Sequence, residues 1–173
     1  FRPPRSNARC RLDWAVPNDK MPDAQRLMER AVNDGTKIFI IQSADEWSEF
    51  IAVNSKAVFK DKFFVGTNWL GGVMFNKPHD IFKELPVGNA LNWPYQALIH
   101  TGVERMGLVM EGEELLVGAY HTYPMAIGTA MGIVPMGKGS VLFSTLDIYG
   151  NIINDSAAGL VAKKLIFNMI DFK

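Results

Sequence analysis

The chain has 173 residues and a mass of 19.3 kDa, with 18 Lys and Arg against 18 Asp and Glu, so its formal net charge is zero. Apolar residues make up 48% and charged residues 21%, which excludes disorder over most of the length and fits one domain of ordinary size. The charge balance argues against a nucleic-acid or polybasic membrane partner, which would want an excess of Lys and Arg.

Residues 1–10 read as a linker or a cut boundary, and residues 11–173 as a single domain. The opening Phe-Arg-Pro-Pro-Arg segment is locally basic and has no apolar stretch of signal-peptide length. Cys10 stands alone, so there is no internal disulfide and no multi-cysteine zinc site. Arg11 to Val16 alternates apolar and polar residues and is a short strand candidate ended by Pro17.

The clearest helix runs from Asp23 to Asp34. Ala24, Leu27, Met28, Ala31 and Val32 form one apolar stripe, Pro22 suits the first turn, and Gly35 supplies a left-handed stop. Lys37 to Gln42 is a continuous apolar run, as expected of a strand covered on both faces. Ser43-Ala44-Asp45-Glu46 has the capping-box pattern and opens a helix carrying Trp47, Phe50 and Ile51. Helix, buried strand, helix is the grammar of an α/β fold with a parallel sheet.

Val58 to Gly66 carries a further strand, followed by the Gly-rich loop Thr67 to Gly72. A turn at Asn76 to Asp80 precedes a short element, Ile81 to Leu85, and Val87 to Tyr95 is irregular and aromatic. The second half is rich in strands. Gly107 to Met110 and Leu115 to Tyr120 flank a Glu-Gly-Glu-Glu turn and predict a hairpin. Ile127 to Val134 and Ser140 to Leu146 flank Pro135 to Gly139 and predict a second one. Asp155 or Ser156 caps a last helix reaching about Ile170, with Ala158, Val161, Leu165 and Met169 along one side. Leu115 to Gly137 lacks charged residues but is broken by Pro124, Pro135 and glycines, so it reads as buried sheet and not as a membrane span.

Catalytic signals are sparse. A nucleophile elbow needs Cys or Ser on a sharp strand-to-helix turn between small residues, whereas Gly66-Thr67-Asn68-Trp69-Leu70 has Asn68 at its centre. His79, His100 and His121 form no close metal-ligand pair. Glu111, Glu113 and Glu114 suit a solvated turn. Asp147 ends a strand, where ligands of open α/β sheets bind, provided that the strand runs parallel to its neighbours. Gly137-Lys138-Gly139-Ser140 opens no helix and reads as a turn, not a phosphate loop. Asp147, His121 and Glu111 are thus weak catalytic candidates. Trp69, Trp93, Tyr95, Tyr120 and Tyr123 lie in or beside loops and are candidates for stacking on a sugar or anchoring an interface. No cofactor or metal is expected.

An ordered series of segments resembles a known group. It comprises Trp69-Leu70-Gly71-Gly72-Val73, Asn76-Lys77-Pro78-His79-Asp80 with the following residues to Pro86, and Leu91-Asn92-Trp93-Pro94-Tyr95-Gln96. It continues with Gly118-Ala119-Tyr120-His121 and Gly137 to Asp147. Together these resemble the class I glutamine amidotransferase-like accessory domain of bacterial glycoside hydrolase family 2, the β-galactosidase-like proteins. The resemblance covers roughly residues 23–170. It implies a flavodoxin-like, three-layer α/β fold with a mainly parallel sheet and antiparallel hairpins in the C-terminal half. The catalytic carboxylates of that group belong to a (β/α)₈ barrel of about 250 residues, which this chain cannot contain. The amidotransferase cysteine would fall near Asn68, and its His-x-Glu near His121-Thr122-Tyr123, where Tyr123 replaces the acid.

The expectation is therefore a non-catalytic accessory domain, structural or carbohydrate-binding, of a glycoside hydrolase. Its partners would be other domains of the parent polypeptide and an oligosaccharide, with no nucleic acid and no membrane insertion. The resemblance implies a periplasmic or extracellular setting. The rivals are a free-standing hydrolase or amidotransferase-like enzyme with a non-standard site, and a pure protein-interaction domain.

Overall fold

The computed structural model describes residues 21–65, 72–88, 90–91, 93–100, 106–122 and 125–172. The strand candidate Arg11–Val16 lies outside them. Among the described residues, seven strands form one mixed sheet with helices packed on both faces.

Helix α1, Met21–Asp34, buries Ala24, Met28 and Ala31 as its stripe predicts. Gly35 ends it at φ 76, a left-handed backbone that glycine adopts without a Cβ clash. Strand β1, Lys37–Ile40, follows, with Ile38 and Ile40 in the core beneath α1 and Phe39 against the opposite core. Helix α2, Ala44–Val53, then buries Phe50 and Ile51. The predicted capping box does not form: Ser43 takes φ 51 and makes no side-chain cap.

Strand β2, Val58–Phe64, does not return beside β1. It pairs antiparallel with β4, Met106–Glu111, at the far end of the order β1-β7-β6-β4-β2. The expected mainly parallel sheet is corrected accordingly: among the described residues β1 with β7, Gly139–Ser144, is the parallel pair, and the other registers are antiparallel. The physical reason lies in β2 itself. Lys60, Asp61 and Lys62 cannot be buried between two helical layers, whereas an edge tolerates them and is protected by them.

Strand β6, Ala126–Met136, is the hub. It pairs with β5, Glu114–His121, along its first two-thirds, with β7 along its last residues, and with β4 where Thr129 faces Leu108. The predicted β4–β5 hairpin is corrected: its two strands have no mutual register among the described residues, and both pair with β6 instead. The β6–β7 hairpin does form. Gly137 turns it at φ 60, and a Cβ there would strike the Val32 backbone at the end of α1. Strand β3, Gly72–Asn76, which the sequence reading places partly in a loop, pairs with β5.

Short α3, Gln96–His100, and α4, Ile148–Ile152, precede the long α5, Ala157–Asp171. Ser156 Oγ caps α5 by accepting from Gly159 N at 3.2 Å. Val161, Ala162, Leu165 and Met169 of α5 pack on the sheet face opposite α1 and α2. Among the described residues no helix is long and apolar enough to cross a membrane.

Candidate functional site at the ends of the parallel strands

Because β1 and β7 are parallel, their carboxyl ends open at one rim. A cleft of about 160 Å³ lies there, between the start of α2 and the turn from β7 into α4. Its polar lining is Gln42, Ser43, Asp45, Thr145 and Asp147. This is the location where open α/β sheets bind ligands, outside the strand ends. The condition placed on Asp147 by sequence reasoning, a strand parallel to its neighbours, holds toward β1 and fails toward β6, with which β7 pairs antiparallel.

The lining groups are held from several elements. Asp45, in the first turn of α2, is buried and accepts from Lys62 Nζ of β2 at 2.6 Å. Thr145 Oγ1 donates toward the Met106 and Ala130 carbonyls at 2.8 and 3.1 Å, which ties β4 and β6 to the end of β7. Asp147 caps α4. Its Oδ1 accepts from Gly150 N at 2.9 Å and its Oδ2 from Asn151 Nδ2 at 3.3 Å, while its own N–H donates to the Leu98 carbonyl at 2.9 Å. Ser43 is the strained member, a left-handed non-glycine residue on the strand-to-helix turn. Sequence reasoning missed it, because Ser-Ala-Asp-Glu signals a cap and carries no trace of the left-handed backbone.

The other candidates are dispersed. His121 ends β5, in register with Gly72 and Ala126, at the start of β6 and so at the opposite end of that strand from the Met136–Gly139 turn into β7. Glu111 lies at the far end of β4, opposite Val58 and ion-paired with Lys60. It is Met106, at the other end of β4, that meets Thr145. Asp147, His121 and Glu111 therefore do not converge as a set. Among the described residues no group of three or more His, Cys, Asp or Glu is gathered to hold a metal ion.

Of the aromatic candidates, Trp69 and Tyr123 lie outside the described residues, and so does the side chain of Trp93, whose backbone is in the 3₁₀ turn Trp93–Tyr95. Tyr95 belongs to the core at 1% exposure, with Phe82 edge-on to its ring and its hydroxyl donating to the Pro86 carbonyl at 2.7 Å. Burial pushes its phenol up to about 12 against a partial opposing effect from the Asn76 amide. Tyr120 is half-buried on β5, in register with exposed Val73 and Ile127, so it shares a sheet face with them.

No known family profile matches the chain, and no curated protein matches it. Among solved structures it is similar to a β-galactosidase from Rahnella sp. R3, at 12% identity and a TM-score of 0.43. The superposition covers 86% of this chain and 20% of the β-galactosidase, so the chain spans one fifth of that protein's length. A match this loose does not establish a shared fold, and 12% identity does not establish a shared activity.

Proposed function

We propose that the chain is a non-catalytic accessory domain of a bacterial glycoside hydrolase, packing against other domains of its polypeptide and offering a rim to a glycan. The observation that carries this reading is the engagement of Asp147. The carboxylate best placed for chemistry, at the end of a strand of the parallel pair, spends both oxygens on the first turn of α4. The buried carboxylate beside it, Asp45, is tied to Lys62. Both groups hold the rim's shape, and polar side chains so held suit recognition of hydroxyl groups more than proton transfer. The ordered segments from Trp69 to Asp147 supply the link to carbohydrate-active enzymes.

The test is titration of the chain with galactosides and plant oligosaccharides by calorimetry or ligand-observed NMR. Saturable binding lost in Trp93→Ala supports the glycan role. The absence of binding across the panel leaves the packing role alone.

One observation favours a second reading, a hydrolase with a non-standard site. Ser43 sits on a strained strand-to-helix turn at the cleft, the setting in which nucleophilic serines are presented. Turnover abolished by Ser43→Ala would establish it.

A further inference from the structure

The outward face of α5 carries a row of large apolar side chains. Leu160, Phe167 and Ile170 are 67%, 66% and 67% exposed, while Val161, Ala162, Leu165 and Met169 fill the core behind them. Ile153, in the turn ahead of the helix, is 83% exposed. A helix that is apolar on both sides is normally covered on both sides.

The spacing of the outer stripe says what covers it. Leu160, Lys163, Phe167 and Ile170 follow one another at intervals of three, four and three residues. That is the spacing of a helix–helix seam with one polar member. It also reads the same in both directions. An antiparallel copy of the stripe, related by a two-fold axis at the level of Leu165, sets Leu160 against Ile170 and Lys163 against Phe167. The cation then meets a ring, a favourable contact. A parallel copy would set Lys163 against Lys163. The same antiparallel register brings Asp171, in the last turn, opposite the first turn of the other helix, where a carboxylate is favoured by the helix dipole.

The flanking charges agree. Lys163, within the stripe, pairs with Asp155 at 3.3 Å, and Lys164, beside it, pairs with Glu84 at 2.6 Å, so neither adds an uncompensated charge to this face. Lys164 holds the Glu84 carboxyl below the usual carboxylate range. With a formal net charge of zero, two copies approach without mutual repulsion.

We propose that α5 docks on α5 of a second copy of this chain, antiparallel and two-fold symmetric. This goes beyond the accessory reading and does not depend on it. The contact is isologous, as the pairing of one stripe with itself across a two-fold axis requires.

The experiment is light scattering or sedimentation of the full chain in a dilution series reaching ~100 µM, the range suited to a small interface. The expected result is a mass rising to about twice the 19.3 kDa of one chain. Leu160→Asp and Phe167→Asp, each on the solvent side, remain monomeric at every concentration with an unchanged melting temperature. Two variants guard against a local folding failure in either one. Orientation is read on a Cys10→Ser background. Oxidation cross-links Leu160→Cys/Ile170→Cys into covalent dimers and leaves Leu160→Cys alone uncross-linked. A chain monomeric throughout the series overturns the proposal, as does a dimer that survives both Asp variants. Cross-linking through Leu160→Cys alone overturns the antiparallel register.

Discussion

Phe75 and Gly118 face one another in the β3–β5 register, and the Phe75 ring fills the space that a side chain at 118 would occupy. The relationship recurs. Phe63 covers Gly107 across β2–β4, and Phe143 lies over Gly132 across β6–β7. Each glycine admits an aromatic ring onto the sheet at a point where its own lack of a side chain weakens the strand. Gly118→Ala should therefore cost ~1–3 kcal/mol through overpacking. Gly118→Ala combined with Phe75→Leu should cost less than the sum of the two single changes, because they share one space. Chemical denaturation of the four chains measures both.

Tyr95 predicts an alkaline limit. Its pKa in the fold is raised from 10.0 to about 12, so the protein favours the neutral phenol. The stability this represents is complete below the unfolded value and is lost as pH rises from 10.0 toward about 12. Tyr95→Phe should flatten the stability profile over that window, at the cost near neutrality of the hydroxyl's bond to the Pro86 carbonyl. Thermal melts from pH 8 upward, taken in the same buffers for both chains, supply the comparison.

Asp147 separates a cap from a catalyst. As the N-cap of α4 it should lose ~1 kcal/mol on Asp147→Ala and much less on Asp147→Asn, since Asn also accepts at that position. A catalytic carboxylate would lose its function equally in both. Melting temperatures of the two variants rank the cap, and near-equal destabilisation would argue against it.

Ser43 holds a left-handed backbone with no capping bond in return. Ser43→Gly removes a penalty of ~1–2 kcal/mol and adds a smaller entropic cost, so it should stabilise the chain by ~0.5–1 kcal/mol. A fall in melting temperature would show that the serine side chain is held by the cleft.

Local signals carried the elements with their own punctuation. The α1 stripe with Gly35, the continuous apolar run of β1, the Gly137 turn and the Ser156 cap each specify their structure within a few residues. Pairing partners are a different matter. Whether β2 returns beside β1 or crosses to the far edge is decided by where Lys60 and Lys62 can stay wet, and the β4–β5 turn looks like a hairpin until β6 offers both strands a better edge. The site was half legible. Asp147 at a strand end followed from the pattern, but Asp45 was placed by a distant partner, Lys62, and Ser43 by backbone strain. Tyr95 looked like a loop aromatic because nothing near it in sequence shows that Phe82 and Pro86 fold over it.

The most direct test of the accessory reading is a turnover screen of the chain with nitrophenyl glycosides and glutamine, run beside Ser43→Ala and Asp147→Asn. The account predicts no turnover above buffer for any of the three chains. Turnover by the unaltered chain that either substitution abolishes would contradict it and place an active site at the ends of β1 and β7.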